Sequence, residues 1–230
     1  MRTLTIILTI AMATLSAKGQ DANALLSEVR SKFETITDLR CNVDMKFDIP
    51  GVAIDKISGK MIYKKPDKFR VKTKGLICLP KQKPFSQLEI LDNPDNYMAV
   101  AAGTSNSRGI ACNVVNVIPT NNGELVLMQL LIGKEDGRIH ESELTLKREG
   151  TVKYYNTYNE PSDFIPSVME FEADFKRFKM PKAISGDFSS KPVREEEGQS
   201  KYETGRVKMT ISNLELNRKI ADDEFAESDS

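Results

Sequence analysis

The 230-residue chain has no tryptophan, one histidine and three cysteines. The lone His140 leaves little material for a zinc site or a histidine-based active centre. Cys41, Cys78 and Cys112 are too few for a disulfide scaffold, include no CxxC pair and fit no zinc spacing. They leave open one disulfide, in any of three pairings, plus a free thiol, or three small apolar residues buried in strands. A surplus of one charge is also missing, since 33 basic side chains balance 33 acidic ones. A nucleic-acid binder needs a basic excess to meet phosphates, so that class is excluded. There is no GxSxG elbow and no phosphate-cradling glycine loop. No segment after the first twenty residues is long and apolar enough to span a bilayer. No internal repeat is found, and no linker that would separate two cores. With 40% hydrophobic and 29% charged residues, the balance is that of a folded globular chain. The length suits one domain of sandwich or barrel size. A non-enzymatic, β-rich domain without a cofactor or metal is expected.

What is present begins with an address. Met1, Arg2 and Thr3 form a short basic start, and residues 4–15 are apolar apart from threonines. Such a run is shorter than the roughly twenty residues a bilayer requires. Ala17-Lys18-Gly19 then supplies small residues on both sides of Lys18, as a signal-peptidase site requires. A secretory signal peptide over residues 1–19 is predicted, with Gln20 first in the mature chain. The first cysteine is Cys41, so no lipid-anchoring cysteine follows the apolar run. Removing this segment takes away Arg2 and Lys18 and no acid. The mature chain is then slightly acidic, with no steering toward anionic surfaces.

In residues 21–39 the apolar side chains Leu25, Leu26, Val29, Phe33, Ile36 and Leu39 fall at helical spacing, with Asp21 placed as the cap. The period then changes to two. Cys41, Val43, Met45, Phe47 and Ile49 alternate with Asn42, Asp44, Lys46 and Asp48, describing a half-buried strand before the turn at Pro50-Gly51. Further strands are predicted at 57–64, from 69 onward as far as 79, and at 97–102, 110–119, 125–132, 138–147, 152–158, 165–175 and 206–216. Turn residues such as Ser107-Arg108-Gly109 and Glu135-Asp136-Gly137 separate them. Phe85, Leu88 and Leu91 suggest a short helix over 84–91. Residues 189–204 lack apolar side chains and read as a mobile acidic loop. The pattern describes an antiparallel meander, strongly curved, with one long and one short helix on its concave face. Residues 125–132, apolar on both faces, mark a central strand.

The stretch Gly59-Lys60-Met61-Ile62-Tyr63-Lys64-Lys65-Pro66-Asp67-Lys68-Phe69-Arg70 resembles the opening of the bacterial periplasmic lipoprotein carriers of the LolA type and their lipoprotein-sorting superfamily. Glu135-Asp136-Gly137-Arg138-Ile139-His140 is similar to the Asp-Gly-x-Ile hairpin of that family. The ending Asn217-Arg218-Lys219-Ile220-Ala221-Asp222-Asp223-Glu224-Phe225 is a further match. The resemblance implies a mainly β chain with some α, an incomplete, half-open antiparallel β-barrel. Its concave face would be covered by the long N-terminal helix and a short lid helix, forming a single domain over residues 20–230. It also implies a periplasmic, non-catalytic carrier or chaperone, acting as a monomer. That protein would shelter lipoprotein acyl chains or phospholipid in an apolar cavity and exchange them with inner- and outer-membrane transfer partners. A sensor of the same fold, reporting lipid or lipoprotein to a membrane signalling partner, is the alternative. In the carriers an Arg precedes the turn proline and ties the lid shut; here Lys65 stands in its place and is the latch candidate. Val71 occupies a position where the family often has Trp, and the segment around 165–205 has no counterpart in the short carriers.

The expected cavity lining is Val43, Met45, Phe47, Met61, Tyr63, Phe69, Val100, Met128 and Leu130, with Phe85, Leu88 and Leu91 as lid. Methionines among these offer pliable surface. His140, directly after a tight turn, is expected to be solvated or capping. Glu141 and Glu143 share one strand face and are expected on the solvated side. The cluster Lys64, Lys65, Asp67, Lys68 and Arg70 offers charge that could meet a lipid head group.

Overall fold

Helix α1 (Ala22–Glu34) starts at Asp21, whose carboxylate accepts the Asn23 N–H at 3.0 Å. It ends earlier than the apolar spacing suggests. Thr35, Ile36 and Thr37 are three consecutive β-branched residues, which lose side-chain freedom in a helix. The Thr35 hydroxyl turns back to the Lys32 carbonyl at 2.7 Å, and a strand begins at Asp38. Ile36 and Leu39 are nevertheless buried, in the core beyond the helix.

The computed structural model describes residues 21–50, 56–73, 90–148, 150–174 and 204–225. The signal segment, Cys78, Phe85, Leu88 and nearly all of the loop over 189–204 lie outside them. Ten strands follow α1: β1 (Asp38–Asp48), β2 (Ile57–Lys64), β3 (Lys68–Thr73), β4 (Tyr97–Ser107), β5 (Ile110–Pro119), β6 (Leu125–Gly133), β7 (Ile139–Leu146), β8 (Gly150–Thr157), β9 (Val168–Asp174) and β10 (Thr204–Leu216). They form one antiparallel sheet in the order β3-β2-β1-β10-β9-β8-β7-β6-β5-β4. The meander holds for β1–β3 and for β4–β9, while β10 inserts between β1 and β9 and joins the two runs. β3 and β4 do not pair with each other, so the barrel is open.

Two clusters of buried side chains line the inner face. Leu25, Leu26 and Val29 of α1 pack on Val115, Val117, Met128, Leu130 and Ile132. Leu39, Cys41, Val43, Met61 and Val71 pack with Ile165, Met169 and Ile211. Phe33, at the end of α1, touches both clusters and meets Phe164 edge to face at 6.3 Å.

The outer face has two covers. The β4–β5 hairpin is bent by a register slip between Ala101 and Thr104, where Gly103 takes φ +88°. Its tip reaches across the sheet: Ser107 Oγ donates to Glu141 at 2.9 Å, and Arg108 reaches Glu170 at 2.6 Å and lies over the Tyr155 ring at 4.1 Å. Cys112, Val114 and Leu131 are buried on this side. Cys41 faces inward on β1 and Cys112 outward on β5, six strands apart in the sheet order, so the Cys41–Cys112 pairing is excluded. Burial pushes the Cys41 thiol up to about 12 and the Cys112 thiol up as well.

The second cover is the segment after β10. Buried Asp38 accepts the N–H groups of Arg218 and Lys219 at 2.8 and 3.2 Å and the Thr37 hydroxyl at 3.1 Å. Ile220 is buried beyond it. Lys64 and Lys68 each reach Asp222 at 2.6 Å, hydrogen bonds that hold its carboxyl down at about 2. Arg40 meets Glu224 at 2.7 Å, and Arg70 donates to the Glu224 carbonyl. Much of the basic cluster around the Pro66 turn is thus engaged within the fold. Replacing Asp38 by Ala removes the carboxylate that holds the Arg218 and Lys219 N–H groups and the Thr37 hydroxyl, and is expected to cost about 1–3 kcal/mol in urea unfolding. Glu224→Ala, which breaks an exposed pair, is expected to cost no more than about 1 kcal/mol in the same measurement.

Candidate functional site

Strand registers define which side chains point inward. One row runs Val115, Leu130, Ser142, Tyr154, Phe171, Val207 and Phe47, from β5 across to β1. The next runs Asn156, Met169, Met209, Met45 and Ile57, so three methionines stand directly opposite one another on β9, β10 and β1. Followed through every register, the inward positions of the ten described strands carry no Asp, Glu, Lys or Arg. Charge lies on the other side. Glu143 pairs with Lys153 at 2.8 Å, Glu172 with Arg206 at 3.2 Å and Glu170 with Lys208 at 3.6 Å. Glu141 and Glu143 stand on this outer face, as the alternation with Leu144 and Leu146 suggests.

Helix α1 covers the inner face over β4–β7. Beyond the helix, Tyr154, Phe171, Val207, Met209, Phe47 and Ile57 are only half-buried. This is the part of the face that remains accessible. β3 ends at Thr73, β9 ends at Asp174 and β10 begins at Thr204 on the same rim.

The expected lining residues divide into three groups. Val43, Met45, Phe47, Met61, Tyr63 and Phe69 share the inner face of β1–β3. Met128 and Leu130 also face inward but are completely buried beneath α1, as core. Val100 is a correction. It pairs with Asn116, on the opposite face from Val115 and Val117, and is 41% exposed. Ala99 and Ala101 take the inward positions, and Ala99 packs against the α1 cluster. Of the lid residues, Leu91 is buried against the α1 cluster, while Phe85 and Leu88 lie outside the described residues. Met169, Met209, Phe171 and Tyr154 were not anticipated. Their signal is the alternation of Met169, Phe171 and Ala173 with Glu170 and Glu172.

Two lysines hold the C-terminal end of α1. Lys65 Nζ donates to the Phe33 and Glu34 carbonyls at 3.3 and 2.9 Å. A cation there also opposes the negative end of the helix dipole. Lys65 therefore fastens the C-terminal end of α1. Lys32 Nζ donates to the Asp136 and Gly137 carbonyls at 3.0 and 3.3 Å. Gly137 takes φ +61°, and a Cβ there would meet Lys32 Nζ at 2.9 Å. The Asp136 carboxylate shapes this turn by accepting the Arg138 N–H at 3.0 Å, Arg138 Nε at 2.8 Å and a bond from His140 Nε2 at 2.9 Å. His140 is buried rather than solvated, because a register slip between Leu131 and Ile132 turns it under the Tyr158 ring. Burial alone would raise the Asp136 carboxyl; the Arg138 and His140 hydrogen bonds outweigh it and hold it below the usual carboxylate range.

No family model and no curated protein matches the sequence. Solved structures do. A DUF1329 family protein from Desulfovibrio piger superposes with a TM-score of 0.58 at 14% identity, over 90% of this chain and 96% of that one. A putative outer membrane lipoprotein-sorting protein domain from Vibrio parahaemolyticus gives 0.57 at 10% identity, over 90% and 97%. A LolA superfamily protein from Nitrosomonas europaea gives 0.52 at 10% identity, over 90% and 97%. The class is an open antiparallel barrel with a helix across its inner face. The particular fold is the LolA-like one.

Lys65→Ala is expected to cost about 0.5–1.5 kcal/mol and to speed amide exchange at residues 35–37, read by hydrogen-exchange mass spectrometry. The folded Asp136 carboxyl lies below its ordinary value of 3.8, so its stabilisation is complete above that pH and is lost as pH falls through the folded value. Acidification below about pH 4 is expected to loosen the turn and with it α1, and Asp136→Asn to remove that acid dependence.

Proposed function

We propose that the protein is an exported, non-catalytic binding protein that shelters acyl chains against the inner face of its open barrel. The observation that carries this is the absence of charge from every inward position of the described strands, on a face that α1 covers only in part. Each methylene taken from water there is worth about 0.8 kcal/mol. An acyl chain laid along Tyr154, Phe171, Val207 and Phe47 is thereby held without any charged partner. The methionine row adds pliable, polarisable surface that adapts to chains of different shape. The cargo is the acylated end of a lipoprotein, or phospholipid, carried through the periplasm toward the outer membrane. The fold shared with a putative outer membrane lipoprotein-sorting protein domain supports this choice of cargo. Release follows from moving the C-terminal end of α1, which Lys65 and Lys32 fasten through backbone carbonyls.

Native mass spectrometry of residues 20–230, purified gently from the periplasm of a diderm host, tests this. An acylated mass is expected, lost on delipidation and regained with lipid. Met209→Asp on the inner face is expected to abolish uptake of a fluorescent fatty-acid probe, whereas Val100→Asp on the outer face leaves it unchanged. A clean apo mass together with no probe uptake overturns the proposal.

A further inference from the structure

The two free edges of the open sheet, β3 and β4, are guarded very differently. β3 is six residues long and carries Lys68, Arg70 and Lys72. Short length and charge keep an edge from recruiting another strand. β4 is eleven residues long and has no charged residue from Tyr97 to Ser107. Its regular part runs from Tyr97 to Ala101, ahead of the slip that bends the hairpin. There Tyr97, Ala99 and Ala101 face inward, and Met98 and Val100 face outward. Met98 is 58% exposed and stands opposite Ile118, which is exposed as well. Among the described residues, five of the six large apolar side chains left exposed lie on β4, β5 and β6.

The open N–H and C=O groups of an edge strand take another strand as partner. Charge and symmetry decide which one. Contact between β4 of one copy and β3 of the next would desolvate the lysines and arginine of β3 and, being head to tail, would go on adding copies. Contact between β4 and β4 brings no like charges together and closes at two. We propose that β4 is the contact strand of a two-fold dimer, in which two copies pair edge to edge and antiparallel through Tyr97–Ala101. In the register that sets Ala99 opposite itself, Met98 of each copy stands opposite Val100 of the other on the outer face. On the inner face the large Tyr97 meets the small Ala101. Cross-strand apolar pairs of this kind stabilise an antiparallel ladder, so Met98 and Val100 gain the neighbour that a free edge denies them. The seam is small beside the 20–30 residues a side of a standard interface, so the dimer is weak and reversible. It also leaves the acyl-binding face alone, since β8, β9, β10 and β1 lie four or more strands from β4 in the sheet order.

Sedimentation velocity of residues 20–230, from about 1 µM to about 1 mM, tests this. A reversible monomer–dimer equilibrium is expected, with amide exchange at residues 97–101 slowing as the dimer forms. The double variant Met98→Lys and Val100→Lys sets lysine opposite lysine across the seam and is expected to weaken the dimer about 10-fold or more. Cooperative urea unfolding at the lowest concentration shows that the variant is folded. Val126→Lys, on β6 and away from the edge, is expected to leave the dimer unchanged. A monomer at every concentration overturns the proposal, and slow exchange at residues 97–101 in that monomer would mean that the chain covers its own edge. Equal weakening by Val126→Lys assigns the association to the outer face and overturns edge pairing. Growth beyond two copies overturns the two-fold. None of these outcomes bears on the acyl-binding role, which the probe uptake above tests separately.

Discussion

An antiparallel sheet that fails to close must find another way to bury its inner surface, and the rest of this structure follows from that constraint. The ten strands curve until β3 and β4 are the two free edges, with no pairing between them. The inward positions of the described strands carry no charge, so water is excluded from them only where something is laid across. Helix α1 does this for β4–β7, by way of Leu25, Leu26 and Val29. The pins at its end, Lys65 and Lys32, and the packing of Phe33 against both clusters, fix how far the cover extends. What it leaves half-buried is the candidate site.

Stability and binding therefore draw on the same surface. The ion pairs of the outer face, such as Lys153 with Glu143 and Arg206 with Glu172, are partly or largely exposed and contribute little. The energy of the fold comes from apolar burial on the inner side.

Much of the architecture was legible because the outer face is charged. Where Glu170 and Glu172 alternate with Met169, Phe171 and Ala173, or Lys46 and Asp48 with Met45 and Phe47, period two is plain and strand positions follow. β4, β5 and β6, which carry no charged residue, were found instead from their apolar content and the turns that bound them, and the Asp21 cap from the helical spacing after it. Three features were not legible, each for a physical reason. Insertion of β10 beside β1 is a long-range choice with no local signature. Val100 was misplaced because β4 carries no charge between Tyr97 and Ser107, so larger side chains outside and alanines inside invert the usual contrast. His140 was misjudged because a slip in register, which sequence does not display, reverses the parity of β7 at its start. Of the site itself, the β1–β3 wall was visible and the β8–β10 wall was present in the same alternation but not assembled, because its partners are joined only through β10.

The position of β10 also sets the order in which the molecule can come into being. A chain that emerges from its amino end first can form β1–β3 and β4–β9 as separate ribbons, yet the two have no shared edge until the final strand arrives between them. For that interval the inner faces beyond the cover of α1 lack their neighbour, and the contacts that end the exposure link residues from opposite ends of the polypeptide. Until its last strand is in place, the two ribbons have no common edge to close the surface between them.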